Sequence, residues 1–317
     1  MKVLVTGGAG FIGSHLVDRL LALGNEVDVV DSLSTGSMAN LGYARVPPAN
    51  QCTFHRLDIR SPEVVELMIR RKPQAVYHLA AQPAVQVSVA QPVFDAEVNL
   101  IGSLRVFEGA RAARVHKLVF ASSGGAIYGD VPPLDLPVGE THAQHPLSPY
   151  GVAKKAAVDY LVTYRRLHGL EYTALAFANV YGPRQSPKGE AGVVAIFAAH
   201  LLAGQPCTIF GDGSQTRDFI HVADVVDALV RAATSGDGML LNIGTGTETT
   251  VNDLYTIIAR EAGTSLPPTR APAHPGDIAR SCLCPAQARQ HLGWSPQITL
   301  SEGIATVVEW FRQHQVY

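Results

Sequence analysis

Tyr150 and Lys154 stand four residues apart in SPYGVAKKAAVDY (148–160), so a helix places both side chains on one face. Ser148 suits a cap and Pro149 a first turn, which sets the helix start there. A lone Tyr–Lys pair on a helix is usually a surface pair, and tyrosine is a poor base at its ordinary pKa of about 10. An ammonium nearby favours the phenolate, as does a cationic hydride acceptor. With both, the pair becomes a base that takes an alcohol proton while hydride leaves the same carbon. Two more hydroxyls appear in LVFASSGGAIYGD (118–130). There a strand-like run meets Ser122 and Ser123, then Gly124 and Gly125, whose missing side chains allow a close approach at a strand end.

A hydride acceptor has its own signature. VLVTGGAGFIGSH (3–15) puts Gly7, Gly10 and Gly13 between a strand and a helix start. That order gives a tight turn, backbone N–H groups close to a pyrophosphate, and close helix–strand packing. The next strand, in VDVVDSLSTG (27–36), ends on Asp31, spaced to bind adenosine ribose hydroxyls. Asp31 would repel a 2′-phosphate and no Arg follows closely, which favours NAD over NADP. The other reading of Asp31 is a turn cap. Asp58 and Ile59 can meet the adenine, and Leu79, Ala80, Ala81 and Gln82 are small enough to let a sugar–phosphate linker pass.

Alternating elements must position these groups. Strands are expected at Lys2–Thr6, Glu26–Asp31, Thr53–Leu57, Ala75–Leu79, Lys117–Ala121 and Glu171–Phe177. Amphipathic helices are expected at Ser14–Leu23, Pro62–Arg70, Val98–Ala113 and Pro149–His168. The pattern predicts an α/β fold: a Rossmann-type doubly wound parallel sheet with helices on both faces. After about residue 178 the texture turns to Gly- and Pro-rich loops, predicting a smaller C-terminal α/β substrate lobe. The expected division is 1–177 for the NAD-binding domain and 178–317 for the substrate lobe, with part of 219–245 packing back on the first.

The 317 residues are 47% apolar and 16% charged, with net charge −2, which excludes disorder and makes nucleic acid or an anionic membrane a poor partner. No apolar run approaches a membrane span, and MKVLVTGG is too short for a signal peptide, so the expected location is cytoplasmic. Four sparse cysteines fit a reducing compartment. Cys282-x-Cys284 lacks a matching pair at metal-ligand spacing, and no metal site is expected.

Taken in order, TGGAGFIGSH, Asp31, HLAAQ (78–82), Asn99, ASSGG-x-x-YG, Tyr150-x-x-x-Lys154, ANVYGPRQ (178–185), GDGSQTRDFIHVADV (211–225) and PGD (275–277) resemble the extended short-chain dehydrogenase/reductase family nearly end to end. The chain is most similar to the UDP-glucose (UDP-galactose) 4-epimerase group. The resemblance implies that bound NAD⁺ takes hydride from C4 of the sugar while Tyr150 takes the O4 proton. The 4-keto sugar then turns over and hydride returns to the opposite face. It implies a cofactor site of Gly7, Gly10, Phe11, Ile12, Gly13, Asp31, Ser34, Thr35, Gly36, Asp58, Ile59, Leu79, Ala80, Ala81, Gln82, Asn99, Ser122, Tyr150 and Lys154, with Phe177 near the nicotinamide. On the substrate side it implies Ser123, Gly124, Gly125 and Tyr150 at the sugar. Asn179 and Arg217 would meet the pyrophosphate, Asp277 the uridine ribose, and Val193 and Thr208–Phe210 the uracil. A homodimer through the two long helices is implied as well.

The chain also departs from the group's pattern. The hydroxyl four residues before Tyr-Gly is replaced by Gly124. Either Ser123 (or its neighbour Ser122) supplies the hydrogen bond to O4, or Tyr150 works without a serine. Gly124 and Gly125 are expected to leave room for a sugar that rotates. The loop lacks the acids that related dehydratases and decarboxylases carry there, which favours epimerisation. His274 replaces an Arg at the phosphate. Ser281 replaces a bulky Tyr, which could admit a 2-acetamido sugar. Arg184 and Arg280 are unplaced and keep a uronic acid open. A sugar-nucleotide dehydratase or decarboxylase and a non-catalytic NAD-binding sensor are the remaining alternatives.

Overall fold

In the computed structural model, residues 1–42, 44, 51–188, 192–273 and 278–314 are described. Seven strands form one sheet: β1 Lys2–Thr6, β2 Glu26–Asp31, β3 Cys52–Arg56, β4 Ala75–His78, β5 Lys117–Ser123, β6 Tyr172–Phe177 and β7 Met239–Ile243. Their order is β7-β6-β5-β4-β1-β2-β3 and every pairing is parallel. The central strands are apolar on both faces because helices cover both, as in Lys2–Thr6, where Val3, Leu4 and Val5 are all buried. One apolar cluster joins Val3, Val5, Leu16 and Leu229 on one face. Another joins Leu4, Val106, Phe120 and Leu161 on the other. The strand order reverses between β1 and β4, so their C-terminal ends flank a crevice.

The Pro149–His168 helix runs as the sequence predicts, because Ser148 accepts from Gly151 N at 3.1 Å and Gly169 ends it. The expected Val98–Ala113 stretch is helical to Ala112 but not uniform, and the helix begins earlier. A short Pro92–Ala96 helix leads into a wide π-type turn over Glu97–Gly102, then into Ser103–Ala112. Side-chain pull accompanies the widening. Asn99 is drawn off the helix surface to bond the Gln82 backbone, and Gly102 lies where a Cβ would come within 2.8 Å of Ile59 Cδ1. Such turns mark functional positions more often than plain helix does.

Beyond residue 178, β7 returns to the sheet edge and the Val222–Ala232 helix packs on Phe11–Ala22. The rest builds a separate core from the Val193–Leu202, Val251–Ala262 and Leu300–His314 helices, with a two-stranded pairing of Thr208–Phe210 and Thr269–Ala271. At the sheet edge, Glu140 Oε1 accepts the Asn242 N–H at 2.8 Å, and Asn242 Nδ2 donates to Val138 O at 3.0 Å. Among the described residues no helix is long and apolar enough to cross a membrane.

A directional relay ties the crevice together. Ser103 donates to Asn99 O at 2.7 Å, so it must accept from His78 Nε2–H at 2.9 Å. His78 Nδ1 is then the acceptor for Thr6 Oγ1 at 2.7 Å, and Thr6 in turn accepts from Ala80 N at 3.2 Å. The neutral imidazole satisfies every member. Burial, with Lys154 nearby, holds the His78 pKa down at about 3 instead of 6.5. The unfolded chain takes up this proton as pH falls below 6.5, whereas the folded chain resists until about 3. Stability in urea is therefore expected to fall as pH drops through that window. Ser103→Ala, which orphans two buried partners, is expected to cost about 1–3 kcal/mol at neutral pH by the same measurement.

Candidate functional site

The crevice opens on a turn that only glycine fits. Gly7 has φ +71°, its N–H donates to Val30 O at 2.8 Å, and a Cβ there would lie 2.7 Å from Ala80 N. A Cβ on Gly13 would lie 2.0 Å from Gly7 O, so the Phe11–Ala22 helix can press onto the turn only without one. Gly10 caps this helix without a side-chain bond, which leaves the first backbone N–H groups for an anion. Asp31, at the tip of β2, accepts from Ala9 N at 2.9 Å and Leu33 N at 2.8 Å. It therefore acts as a turn cap, and its remaining lone pairs can still take hydroxyls. Ser34, Thr35 and Gly36 follow it, and a Cβ on Gly36 would come within 3.1 Å of Asp31 Oδ1. Asp58 is gripped by Arg60 at 2.7 Å, which holds its carboxyl below the usual range, and Ile59 is buried beside it.

Asn99 works through the backbone of its neighbour. Its Oδ1 accepts from Gln82 N at 2.9 Å, and its Nδ2 donates to Gln82 O at 2.9 Å and to Asp95 Oδ1 at 2.7 Å. These bonds fix the Leu79–Gln82 segment, including Ala80 and Ala81, at the C-terminal end of β4.

At the other wall, β5 ends on the two serines and the long helix supplies Tyr150 and Lys154. Lys154 is 3% exposed. Its Nζ donates to Ala121 O at 3.0 Å, lies 5.0 Å from the Phe120 ring centre and 5.8 Å from that of Tyr150. Burial lowers its pKa to about 8, against a nearby Asp95 charge that raises it. Burial pushes Tyr150 up to about 12, a bond from Ser123 pulls it down, and Asp95 adds to the rise. Of the two serines, Ser123 is the one that acts on the Tyr150 phenol in this way. Ser122 Oγ is buried with no hydrogen bond among the described residues. Phe177, register partner of Ser123, closes the floor.

Gly124 corrects an expectation. A Cβ there would lie 2.3 Å from Leu283 Cδ1, so its missing side chain makes room for Leu283 and not for a rotating ligand. Gly125 is the open one: its nearest neighbour would be Asn179 Oδ1 at 3.9 Å.

On the far side, Asn179 starts a short strand paired with Phe219–His221. Arg217 donates to Thr216 O at 2.8 Å. Val193 begins its helix, while Thr208 and Phe210 are exposed on their strand. His274 and Asp277 lie outside the described residues. The two unplaced arginines have partners: Arg184 pairs with Asp18 at 2.7 Å, and Arg280 with Glu248. Sequence reading missed Asp95 and Asp218. Asp218 is buried and accepts from Thr245 N, Gly246 N and Leu283 N at 2.9, 3.2 and 3.2 Å. Asp95 lies four residues before Asn99, a helical spacing that could have revealed it.

The family model described as "NAD dependent epimerase/dehydratase family" matches residues 3–244. The UDP-glucose 4-epimerase of Mycolicibacterium smegmatis is 49% identical over 313 residues, covering 98% of this chain and 99% of that one. A UDP-glucose 4-epimerase from Thermotoga maritima, solved with UDP-glucose, has TM-score 0.95 at 45% identity, covering 99% of this chain and 100% of that one. The UDP-glucose 4-epimerase of Thermus thermophilus, solved in complex with NAD, has TM-score 0.91 at 45% identity, covering 98% of this chain and 99% of that one.

Ser123→Ala is expected to raise the pH at which Tyr150 ionises, by about 0.5–1 unit for one lost hydrogen bond to the phenolate. The measurement is phenolate absorbance, taken as the difference from a Tyr150→Phe counterpart. Ser122→Ala is expected to leave that titration in place.

Proposed function

This chain belongs to the NAD dependent epimerase/dehydratase family, and we propose that it inverts C4 of a UDP-hexose of the UDP-glucose/UDP-galactose type with NAD as its resident cofactor. The observation that carries the reading is Tyr150 on the Pro149–His168 helix, its ring centre set 5.8 Å from the buried Lys154 ammonium and facing the end of β5, whose following segment Gly124–Ile127 holds no acid.

The cleft fits the dinucleotide. The uncapped helix start behind Gly7, Gly10, Phe11, Ile12 and Gly13 suits the pyrophosphate, and Asp31 with Ser34, Thr35 and Gly36 suits the adenosine ribose. Asp58 and Ile59 flank the adenine end. Leu79–Gln82, held by Asn99, lines the linker, and Ser122, Tyr150, Lys154 and Phe177 border the nicotinamide end. When bound, NAD supplies reversible hydride exchange with C4. Tyr150 takes the O4 proton and returns it. Ser123 stabilises the phenolate and reaches for O4, while Lys154 supplies positive potential from a pocket closed to water. The open space beside Gly125 and Asn179 suits the sugar and its phosphates. Arg217, Val193, Thr208 and Phe210, with His274 and Asp277, remain the candidates for the uridine diphosphate.

Two observations weigh on the alternatives. Gly125, Ala126 and Ile127 offer no acid or base for dehydration at C5 and C6. Arg184 and Arg280, the cations that kept a sugar carboxylate open, are both neutralised within the protein. A second copy of the chain is the proposed partner. Val89, Val93, Leu147 and Val152 are exposed beside an apolar groove of about 500 Å³ between Pro92–Leu100 and Pro146–Ala153.

Purified protein is expected to interconvert UDP-glucose and UDP-galactose without added reductant. No exchange at C4 with UDP-glucose, UDP-GlcNAc or UDP-glucuronic acid would overturn the reading. Tyr150→Phe is expected to lower turnover roughly 10²–10⁴-fold with the fold kept. Val93→Asp with Val152→Asp is expected to convert a dimer to a monomer in light scattering.

A further inference from the structure

We propose that Asp95 is a positioning residue of this site, whose one carboxylate holds the cofactor-side wall in shape and supplies the counter-charge that keeps the Lys154 ammonium in its closed pocket. The proposal rests on the epimerase reading only for its kinetic readout.

Asp95 is fully buried in the Pro92–Ala96 helix. Its Oδ1 accepts from Gln82 Nε2 at 3.0 Å and from Asn99 Nδ2 at 2.7 Å. Gln82 is bound again through Ala84, whose N–H donates to Oε1 at 2.6 Å. One oxygen therefore fixes both the Leu79–Gln82 segment and the π-type turn that carries Asn99. Its Oδ2 is buried and makes no hydrogen bond among the described residues. A buried carboxylate oxygen without a donor is costly unless a cation compensates. The buried cation on the helix packed against this one is Lys154, which makes no ion pair with Asp95 within 4.0 Å and whose hydrogen bond goes to a neutral carbonyl, so the two charges act on each other through the interior. Burial pushes the Asp95 carboxyl up, and the bonds from Gln82 and Asn99 with the Lys154 charge pull it back.

The surroundings leave Asp95 as the anion of this pocket. The Val85–Ala90 helix carries no charge. In the Glu97–Gly102 turn, Glu97 faces outward to Arg60 at 3.7 Å. The Pro149–His168 helix presents Tyr150 and Lys154 inward, while Lys155 pairs with Asp159 at 3.3 Å in solvent. His78 is held neutral. The Asp95 charge acts in opposite senses on the pair. It favours the Lys154 ammonium and disfavours the Tyr150 phenolate. The potential at the reacting proton is thus a balance set by three side chains.

Asp95→Asn separates the two jobs. Asparagine Oδ1 keeps both accepted hydrogen bonds, and its amide takes the place of the unbonded oxygen. With the charge gone, both groups should lose protons more readily. Tyr150 phenolate absorbance and the alkaline limb of kcat/KM are each expected to move down by about one pH unit, with NAD retention through gel filtration unchanged. Asp95→Ala removes the clamp too and is expected to retain NAD at least about tenfold less well. Tyr150 titration and alkaline limb of Asp95→Asn that both coincide with wild type would overturn the proposal, as would wild-type NAD retention in Asp95→Ala. If wild-type protein epimerises no UDP-sugar, the function reading fails, yet the Tyr150 titration still decides for or against Asp95.

Discussion

The site depends on a cation that has been taken out of water. Lys154 is almost fully buried, and an ammonium there is costly unless its surroundings compensate. The contacts that compensate are a carbonyl from the end of β5 and the face of Phe120, and the proposed counter-charge is the Asp95 carboxylate. Each fixes an element. The carbonyl requires β5 to end where the two serines begin. The ring is central-strand core. The carboxylate lies just before the π-type turn and accepts from Asn99 within it. The buried charge therefore constrains three separate stretches of chain.

The chemistry-bearing part of this arrangement was legible because it follows local rules. A capping serine, a proline and an i, i+4 pair set the Pro149–His168 helix and its face. Three glycines between a strand and a helix set the turn. What stayed hidden depends on contacts between distant residues. The π-type widening between Ala96 and Ser103 goes with Asn99 reaching a backbone seventeen residues away. Gly124 looked like empty space, but its neighbour is Leu283, 159 positions on, held in place by Asp218. None of these has a period or a spacing to read.

Charge placement follows the same logic on the substrate side. Two arginines that sequence alone leaves free are committed, Arg184 to the helix behind the nucleotide turn and Arg280 to Glu248. The first pair joins the loop after Asn179–Tyr181 to the Phe11–Ala22 helix. His15 adds a bond to Pro183 O at 2.9 Å. The two walls of the cleft are therefore tied by polar contacts behind the site, and not only by the shared core.

The Glu140 carboxylate on the Asn242 N–H has a consequence for behaviour in the cell. A parallel sheet has two rims, and each rim offers unpaired backbone groups to any passing strand. At β7 that outward donor is occupied by Glu140, and the side chain of Asn242 is tied to Val138. Next to β3, His55 pairs with Asp28 of β2 at 2.8 Å and Arg71 with the same carboxylate, which ties the last strand to its neighbour. The Glu140 side chain thus removes one donor from the β7 rim that an added strand would otherwise use.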